Sequence, residues 1–260
     1  MCLILLAWQA HPDYPLVVAA NRDEFFSRPT EEAHWWPDQP GLFAGRDLEA
    51  GGTWLGVTRE GRFAGLTNFR DPARQRPGAP SRGALVADFL ASNESTDAAL
   101  ARLRVEGPRY NAFNLLLGDG PSLGIYESES GEARRLEPGL YALSNHLLDS
   151  PWPKALAGKS RLARALRALP DDNPLAELLR DDRPAPDAEL PRTGVSLAWE
   201  RMLSSAFIRA PDYGTRCSTL IRRDRHGWTH VVESTWNSVG TESGRVVEQF
   251  QVARPQAGRL

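Results

Sequence analysis

Cys2 has unusual chemical potential because it directly follows the initiator methionine. Methionine aminopeptidases remove Met1 when residue 2 is small, which would leave a thiol and a free α-amine on one residue. Such an amine titrates near pH 7.7–8.0 and a thiol near about 8.5, so the amine can act as base without a histidine. We therefore expect Cys2 to be an N-terminal nucleophile once Met1 is removed. Taken alone, Cys2 is better explained as a buried strand cysteine, so the prediction depends on the residues that follow.

The four polar residues Asn21, Arg22, Asp23 and Glu24 end the second of two apolar segments. If these segments form a β-hairpin, the end of the second strand lies beside the start of the first. Arg22 and Asp23 would then be close to Cys2, where an arginine favours the thiolate and a carboxylate can hold the α-amine. A strand-end ion pair that faces solvent is the alternative.

Three further polar residues stand where predicted strands begin or end. Asn68 and Asn145 each follow an apolar strand, and Arg216 precedes one. Asparagine N–H groups are suitable donors to an oxyanion, although asparagine is also a common turn former. Arg216 could bind a carboxylate or complete the cationic surroundings of the thiol. Trp54, with Trp35 and Trp36, could line an apolar pocket or simply pack in the core.

The elements that would position these residues come as strand hairpins, then a group of helices, then strands again. Helices are predicted over 83–91, 96–104, 154–168 and 173–180, with Ser95 or Thr96 and then Asn173 as caps. Strands are predicted over 2–8, 16–20, 52–58, 62–68, 113–117, 123–126, 133–136, 140–144, 217–222, 228–236 and 246–252, and loops over 69–81 and 181–194. This order favours an α+β fold, with antiparallel sheet covered by helices, in a single domain over residues 1–260.

Composition excludes several classes of function. The net charge of −2 gives no reason to expect a nucleic-acid partner. The sequence shows neither a signal peptide nor an apolar segment of about 18 residues, so we expect no membrane insertion. The two cysteines, Cys2 and Cys217, favour reduced thiols and a cytoplasmic location, although a single disulfide stays open. His226 and His230 lack a third ligand, so no metal site is expected.

Several segments together resemble the NRDE family, also called the Transport and Golgi organisation protein 2 family. They are Met1-Cys-Leu-Ile4, Ala19-Ala-Asn-Arg-Asp-Glu-Phe-Phe-Ser-Arg-Pro-Thr30, Phe43-Ala-Gly-Arg-Asp47, Gly51-Gly-Thr-Trp-Leu-Gly56, Gly65-Leu-Thr-Asn-Phe-Arg70, Tyr110-Asn-Ala-Phe-Asn-Leu115, Leu143-Ser-Asn-His146 and Tyr213-Gly-Thr-Arg-Cys-Ser-Thr219. The resemblance covers essentially the whole chain. That family is similar in turn to N-terminal-nucleophile cysteine hydrolases such as penicillin V acylase, bile salt hydrolase and acid ceramidase. The resemblance implies a four-layer αββα sandwich of antiparallel sheets.

The resemblance also implies roles for individual residues. Cys2 would be nucleophile and general base, Asp23 would hold its amine, Asn68 and Asn145 would bind the oxyanion or orient substrate, and Arg216 would complete the site. In those hydrolases the early arginine precedes the aspartate by about three residues, whereas here Arg22 is adjacent to Asp23.

Neighbouring strand residues point to opposite faces. We therefore expect Asn21 and Asp23 to face Cys2, and Arg22 and Glu24 to face away unless a β-bulge returns Arg22.

Two functions follow from the resemblance. The first is hydrolysis of a non-peptide amide or a thioester, such as an acyl-amide or an acyl-CoA-like compound, without a cofactor. The second is a non-catalytic protein that binds or carries a lipid, an acyl-CoA or haem on the same fold, since members of the family are associated with Golgi organisation, lipid balance and haem handling. A haem would need Cys2 or a lone histidine as its axial ligand.

Overall fold

Two antiparallel β-sheets pack face to face in the computed structural model, which describes residues 2–253. The strands are β1 (Cys2–Trp8), β2 (Leu16–Phe25), β3 (Thr30–Trp36), β4 (Gln39–Asp47), β5 (Leu55–Thr58), β6 (Phe63–Asn68), β7 (Phe113–Gly118), β8 (Leu123–Glu127), β9 (Glu132–Arg135), β10 (Gly139–Leu143), β11 (Tyr213–Arg223), β12 (Trp228–Trp236) and β13 (Glu242–Gln251). The six-stranded sheet has the order β10-β1-β2-β11-β12-β13, and the seven-stranded sheet runs from β3 to β9 in chain order.

The described residues form five α-helices, and four of them cover the outer faces of the sheets. The five are α1 (Gly83–Ala91), α2 (Thr96–Glu106), α3 (Pro153–Ala165), α4 (Asn173–Leu179) and α5 (Leu197–Leu203). Helices α1 and α2 pack on the seven-stranded sheet, and α3 and α4 pack on the six-stranded sheet. One hydrophobic cluster fills the space between the sheets and a second and third lie under the helices. The layers are therefore αββα, which confirms the predicted α+β architecture.

Strand β1 is buried on both faces because it lies in the middle of these layers. Ile4 and Leu6 point into the cluster between the sheets, whereas Leu3 and Leu5 point toward α3 and α4. All four side chains are fully buried, which explains why the segment is apolar at every position rather than alternating.

Most predicted elements are present, although several begin or end at other residues. Three elements of the structure were not predicted. Strands β11 and β13 begin about four residues earlier than predicted, and a short 3₁₀ turn over residues 166–168 follows α3. The caps differ: the Ser95 hydroxyl accepts from the Ala98 N–H, but Asn173 is already helical and its helix has no side-chain cap bond. Sequence patterns did not reveal β3, β4 or α5, because β3 carries exposed charges, β4 begins Gln-Pro-Gly and α5 has only seven residues.

Candidate active site

A cavity of about 530 Å³ opens between the two sheets at the first residue of β1. Most of the residues that the sequence singled out line this cavity, namely Cys2, Arg22, Asp23, Trp54, Asn68 and Arg216. Asn145 follows β10, the strand next to β1, and its side chain contacts Cys2. Asn21 lies away from the cavity. The topology thus brings together strand ends that are far apart in sequence.

The end of β10 holds both backbone groups of Cys2. The Cys2 N–H donates to Asn145 Oδ1 at 3.4 Å, and the Cys2 carbonyl accepts from the Ser144 hydroxyl at 3.1 Å. The Cys2 side chain is 8% exposed, so it is accessible only through the cavity. Ser144 was not identified from the sequence, although it directly precedes Asn145.

The expected face of Arg22 is wrong. In the β1–β2 hairpin, Cys2 is directly opposite Arg22, and cross-strand partners project on the same side of a sheet. Arg22 therefore shares the face of Cys2, whereas Asn21 and Asp23 project toward the helical layer. A change of one residue in register inverts every face, and this register depends on how the connection over residues 9–15 closes.

Asn21 has a structural position. It is fully buried, and its Nδ2 donates to the carbonyls of Leu179 and Ala206 at 2.8 Å each. Its Oδ1 accepts from the Ser218 hydroxyl at 2.6 Å. Asn21 therefore joins β2 to β11 and to the end of α4 rather than lining the cavity.

Asp23 is held at the end of β2 by two partners from β11. Its Oδ1 accepts from the Thr215 hydroxyl at 2.7 Å, and its carbonyl accepts from the Tyr213 hydroxyl at 3.1 Å. Burial raises the pKa of the Asp23 carboxyl, whereas the Lys154 ammonium lowers it. Lys154 is 5% exposed at the start of α3 and was missed in the sequence, where it was assigned to an amphipathic helix.

Burial also dominates the chemistry of the thiol. It raises the pKa of Cys2, and the charge of Asp23 raises it further, whereas Arg22 lowers it. The guanidinium of Arg22 lies 3.9 Å from Glu24 and 3.7 Å from Asp47, so its charge is shared with these carboxylates. A thiol in these surroundings needs a base beside it in order to react near neutral pH.

The two asparagines occupy different positions at the meeting point of the sheets. Asn145 is fully buried, and its Nδ2 donates to the Asn68 carbonyl at 2.8 Å, which links the end of β10 to the end of β6. The Asn68 side chain lines the cavity and makes no hydrogen bond to residues 2–253. Asn68 is therefore the asparagine whose amide is available to a ligand.

Arg216 is the extra residue of a β-bulge. Thr215 pairs with Asp23 and Cys217 with Arg22, which leaves Arg216 without a partner in the strand register. Its guanidinium donates to the carbonyls of Phe25 and Arg28 at 2.8 and 2.9 Å, as well as to the Thr30 hydroxyl. Arg216 therefore fixes the connection between β2 and β3 and places a cation in the cavity wall.

Cys2 and Cys217 are free thiols, and the register explains why they form no disulfide. Both are paired with Arg22, from opposite sides of β2. Their Cα atoms are thus two strand spacings apart, about 10 Å, whereas a disulfide requires less than about 7 Å.

The remaining cavity wall contains charged residues of both signs as well as apolar residues. Arg28 pairs with Asp47 at 2.7 Å, whereas Arg82 makes no ion pair within the described part of the chain. The Arg82 guanidinium donates to a backbone carbonyl at 3.2 Å. Of the three candidate pocket tryptophans, Trp54 lines the cavity, and Trp35 and Trp36 pack in the clusters beside and above the seven-stranded sheet.

The described residues contain neither a metal-ligand cluster nor a membrane-spanning helix. No group of three or more His, Cys, Asp or Glu side chains between residues 2 and 253 could hold a metal ion. His230 instead lies 3.2 Å from Asp172. No helix in the same range is long and apolar enough to cross a bilayer.

The two packed sheets and their outer helices place this protein in the class of four-layer αββα sandwiches, as the sequence resemblance implied. Cys2 is the first residue of its first strand. The chain belongs to the Transport and Golgi organisation 2 family, whose profile matches residues 1–238. It is 36% identical to the Transport and Golgi organization protein 2 homolog of Bos taurus, over 94% of this chain and 96% of that protein. It is also 36% identical to the human homolog, over 90% and 92% of the two chains.

Two solved structures were found to be similar. One is the Caenorhabditis elegans N-acylethanolamine-hydrolyzing acid amidase ortholog, with a TM-score of 0.48, 10% identity and coverage of 85% of this chain and 92% of that chain. The other is a C2A mutant of the conjugated bile acid hydrolase from Clostridium perfringens, with a TM-score of 0.42, 9% identity and coverage of 99% and 100%.

Proposed function

We propose that this protein is a hydrolase in which the Cys2 thiol attacks the carbonyl carbon of a non-peptide amide or a thioester. The observation that carries this proposal is the position of Cys2. It is the first residue of a central strand, at the wall of a cavity of about 530 Å³, with its backbone N–H bonded to Asn145. A cavity of this size can hold a small organic substrate.

The proposed reaction has two halves. After Met1 is removed, the α-amine of Cys2 accepts the thiol proton while Sγ bonds to the substrate carbonyl carbon. The C–N or C–S bond then breaks, and the leaving group takes the proton from the ammonium. Water next attacks the acyl-thioester on Cys2 and releases a carboxylic acid and the free thiol. Residue 1 lies outside the described residues, so its removal is part of the proposal.

The surroundings of Cys2 supply three roles in this scheme. Asn68 presents a free amide to the cavity, where it can donate to the oxyanion of the tetrahedral intermediate. Asn145 holds the Cys2 nitrogen, and Asp23 lies close enough to influence the proton affinity of the thiol. Because burial raises the pKa of Cys2, the thiol is mainly protonated at neutral pH and depends on the amine as base.

Two arginines in the cavity wall can bind an anionic group of an acyl compound. Arg82 and Arg216 line it without a carboxylate partner within residues 2–253, and either can bind a carboxylate or phosphate group of a substrate. The wall also contains carboxylates such as Glu31 and Glu49, and apolar residues such as Trp54, Leu66 and Pro80 that can contact an acyl chain. We therefore propose an acyl substrate with an anionic group within reach of its scissile bond.

The test is to trap the acyl-enzyme. The full chain, with the state of its N-terminus read by intact mass, is mixed with a panel of anionic acyl amides and acyl thioesters and quenched with acid. We expect an added acyl mass on the peptide that contains Cys2, together with release of the acid.

Matched variants decide the outcome. Cys2→Ala should abolish both adduct and turnover, and alanine still permits removal of Met1. Cys217→Ala changes the other free thiol and should retain turnover. Full activity in Cys2→Ala, or an active chain that retains Met1, contradicts the proposal.

A carrier of a lipid, an acyl-CoA or haem on the same fold is the second candidate, since the cavity can hold a ligand whether or not it is cleaved. No histidine in the described range lines the cavity, so an axial haem ligand there would have to be Cys2. Acyl thioester binding without turnover or adduct in the same experiment would favour the carrier.

A further inference from the structure

Five arginines between residues 2 and 253 line the cavity, and the protein compensates their charges to different degrees. Three of them pair with carboxylates at 2.7–3.7 Å, namely Arg22, Arg28 and Arg46. Arg82 and Arg216 have no carboxylate within ion-pair distance in the same range of residues. A guanidinium that faces a cavity without a counter-ion attracts an anion from outside the protein, so these two are the candidates to bind one.

The two candidates differ in how many of their N–H groups the fold already uses. Arg216 donates three hydrogen bonds to the connection between β2 and β3, at 2.8–3.1 Å. Arg82 donates one within the described chain, from Nη1 to the Ala112 carbonyl at 3.2 Å. Because a guanidinium has five N–H donors, Arg82 keeps more of them for a ligand.

Hydrogen bonds place Arg82 beside Asn68. The carbonyl oxygen that Arg82 binds also accepts from the Phe69 N–H at 2.9 Å, and Phe69 directly follows Asn68. The Asn68 carbonyl in turn accepts from Asn145, whose Oδ1 accepts from the Cys2 N–H. A ligand held at the Asn68 amide is therefore between the thiol and the Arg82 guanidinium, since all three groups line one cavity.

Two contacts fix the loop that carries Arg82 to the cavity. Before Arg82, the Asn111 side chain holds the backbone of Arg76, accepting from its N–H at 2.8 Å and donating to its carbonyl at 3.1 Å. After Arg82, the Gly83 carbonyl accepts from the Thr53 N–H at 3.2 Å. A cation on a fixed backbone binds an anion with a smaller loss of conformational entropy.

We propose that Arg82 determines the substrate specificity of the Cys2 centre: it binds a carboxylate or phosphate group that lies a few bonds from the scissile carbonyl, on the side of Asn68. The inference rests on the proposed function for the identity of that carbonyl. It assigns the anionic group to Arg82 rather than to Arg216. Acyl compounds that are neutral near the reacting bond are then poor substrates.

The experiment measures an anion preference at Cys2 without turnover. The full chain is alkylated with maleimides whose N-substituent ends in a carboxylate or a phosphonate, after spacers of increasing length. Each is compared with the neutral primary amide of equal spacer length, and mass spectrometry counts Cys2 separately from Cys217. We expect the anionic reagent to react faster at Cys2, most strongly at one of the shorter spacers. In Arg82→Gln this ratio of rates should fall about tenfold, because a charge-assisted contact is lost.

The ratio removes effects on the thiol itself, since both reagents react with the same Sγ. Arg82→Lys keeps the charge but loses the planar fork, so it should retain part of the preference. Arg46→Gln is the matched control. Arg46 also lines the cavity, but it pairs with Asp38 at 2.8 Å and stacks over Trp36 at 4.2 Å, so its replacement should leave the preference unchanged.

A preference for either anionic series supports the inference and identifies the class of anion. An equal ratio in the parent and in folded Arg82→Gln overturns it, as does an equal fall in Arg46→Gln. A preference that is the same at every spacer length also overturns it, because it indicates a general field rather than a site.

Alkylation does not depend on acyl transfer, so the two proposals can fail separately. A chain that shows the preference but forms no acyl-enzyme contradicts the hydrolase and leaves Arg82 as an anion site. A chain that hydrolyses neutral and anionic acyl compounds at equal rates retains the hydrolase and overturns the role of Arg82.

Discussion

Asn68 and Asn145 end strands of different sheets, and their hydrogen bonds give them different tasks. Asn145 uses its amide on the backbone of Cys2 and Asn68, so it orients the nucleophile and joins the sheets. The Asn68 side chain is bound to nothing in the described chain and faces the cavity. Replacing Asn68 should therefore affect catalysis, whereas replacing Asn145 should affect the position of Cys2 and the contact between the sheets.

For Asn68→Ala we expect a fall of about 10²–10³-fold in the rate of acyl transfer to Cys2, because one oxyanion donor is lost. The melting temperature should change little, since the side chain makes no hydrogen bond within residues 2–253. Asn21→Ala is the matched control: it removes three buried hydrogen bonds away from the cavity and should lower stability. A normal acyl-transfer rate in Asn68→Ala would assign the oxyanion to another donor.

At the scale of elements, two adjacent glycines set the approach of α1 to the cavity. Gly52 lies against the backbone of Gly83 at the start of α1, where an added Cβ would be 2.4 Å from the Gly83 carbonyl carbon. The next residue, Thr53, donates its N–H to the Gly83 carbonyl at 3.2 Å. Gly51 has a positive φ of 74° but open space around it. The contact at Gly52 thus holds α1 and Arg82 in place.

We expect Gly52→Ala to be more destabilising than Gly51→Ala. The first forces two backbone segments apart, an overpacking cost of about 1–3 kcal/mol, and shifts Arg82 with α1. The second only places an alanine in the left-handed region, which costs about 1 kcal/mol. Urea denaturation of both variants measures the difference in stability. Equal urea midpoints would show that the backbone contact between Gly52 and Gly83 can relax without loss of stability.

Across the whole molecule, local patterns in the sequence predicted antiparallel sheet covered by helices and several residues of the site, whereas the four-layer αββα arrangement came from the family resemblance. Apolar segments of strand length indicated the sheets, and polar residues at their ends marked Cys2, Asp23, Asn68 and Asn145. The face of Arg22 was predicted wrongly because the register depends on the β1–β2 connection, where Gln9 adopts a positive φ of 47° and bonds to Pro15. No local pattern encodes that closure.

Lys154 was missed for a different reason. In an amphipathic helix with many arginines, a lysine is normally read as solvent-facing. Only the packing of α3 against β1 shows that this lysine points inward. Lys154 and Arg82 depend on contact between layers, and the sequence alone could not identify them.

Burial of Lys154 should cost stability in a way that depends on pH. Its pKa is about 8 in the folded protein and 10.5 when solvated, so the unfolded chain holds this proton more tightly. The folded state is therefore penalised below pH 8, by up to about 3 kcal/mol, and the penalty is relieved as pH rises from about 8 to 10.5. A methionine of similar length carries no such penalty.

We expect Lys154→Met to unfold at a higher urea concentration than the parent at pH 7, and the gap to shrink progressively up to pH 10. Comparing the two chains at each pH removes the contribution of the titrating groups that do not interact with Lys154. Lys159→Met, whose lysine is partly exposed, should show no such narrowing. A parent chain more stable than Lys154→Met at pH 7 would mean that the ammonium is compensated within the fold.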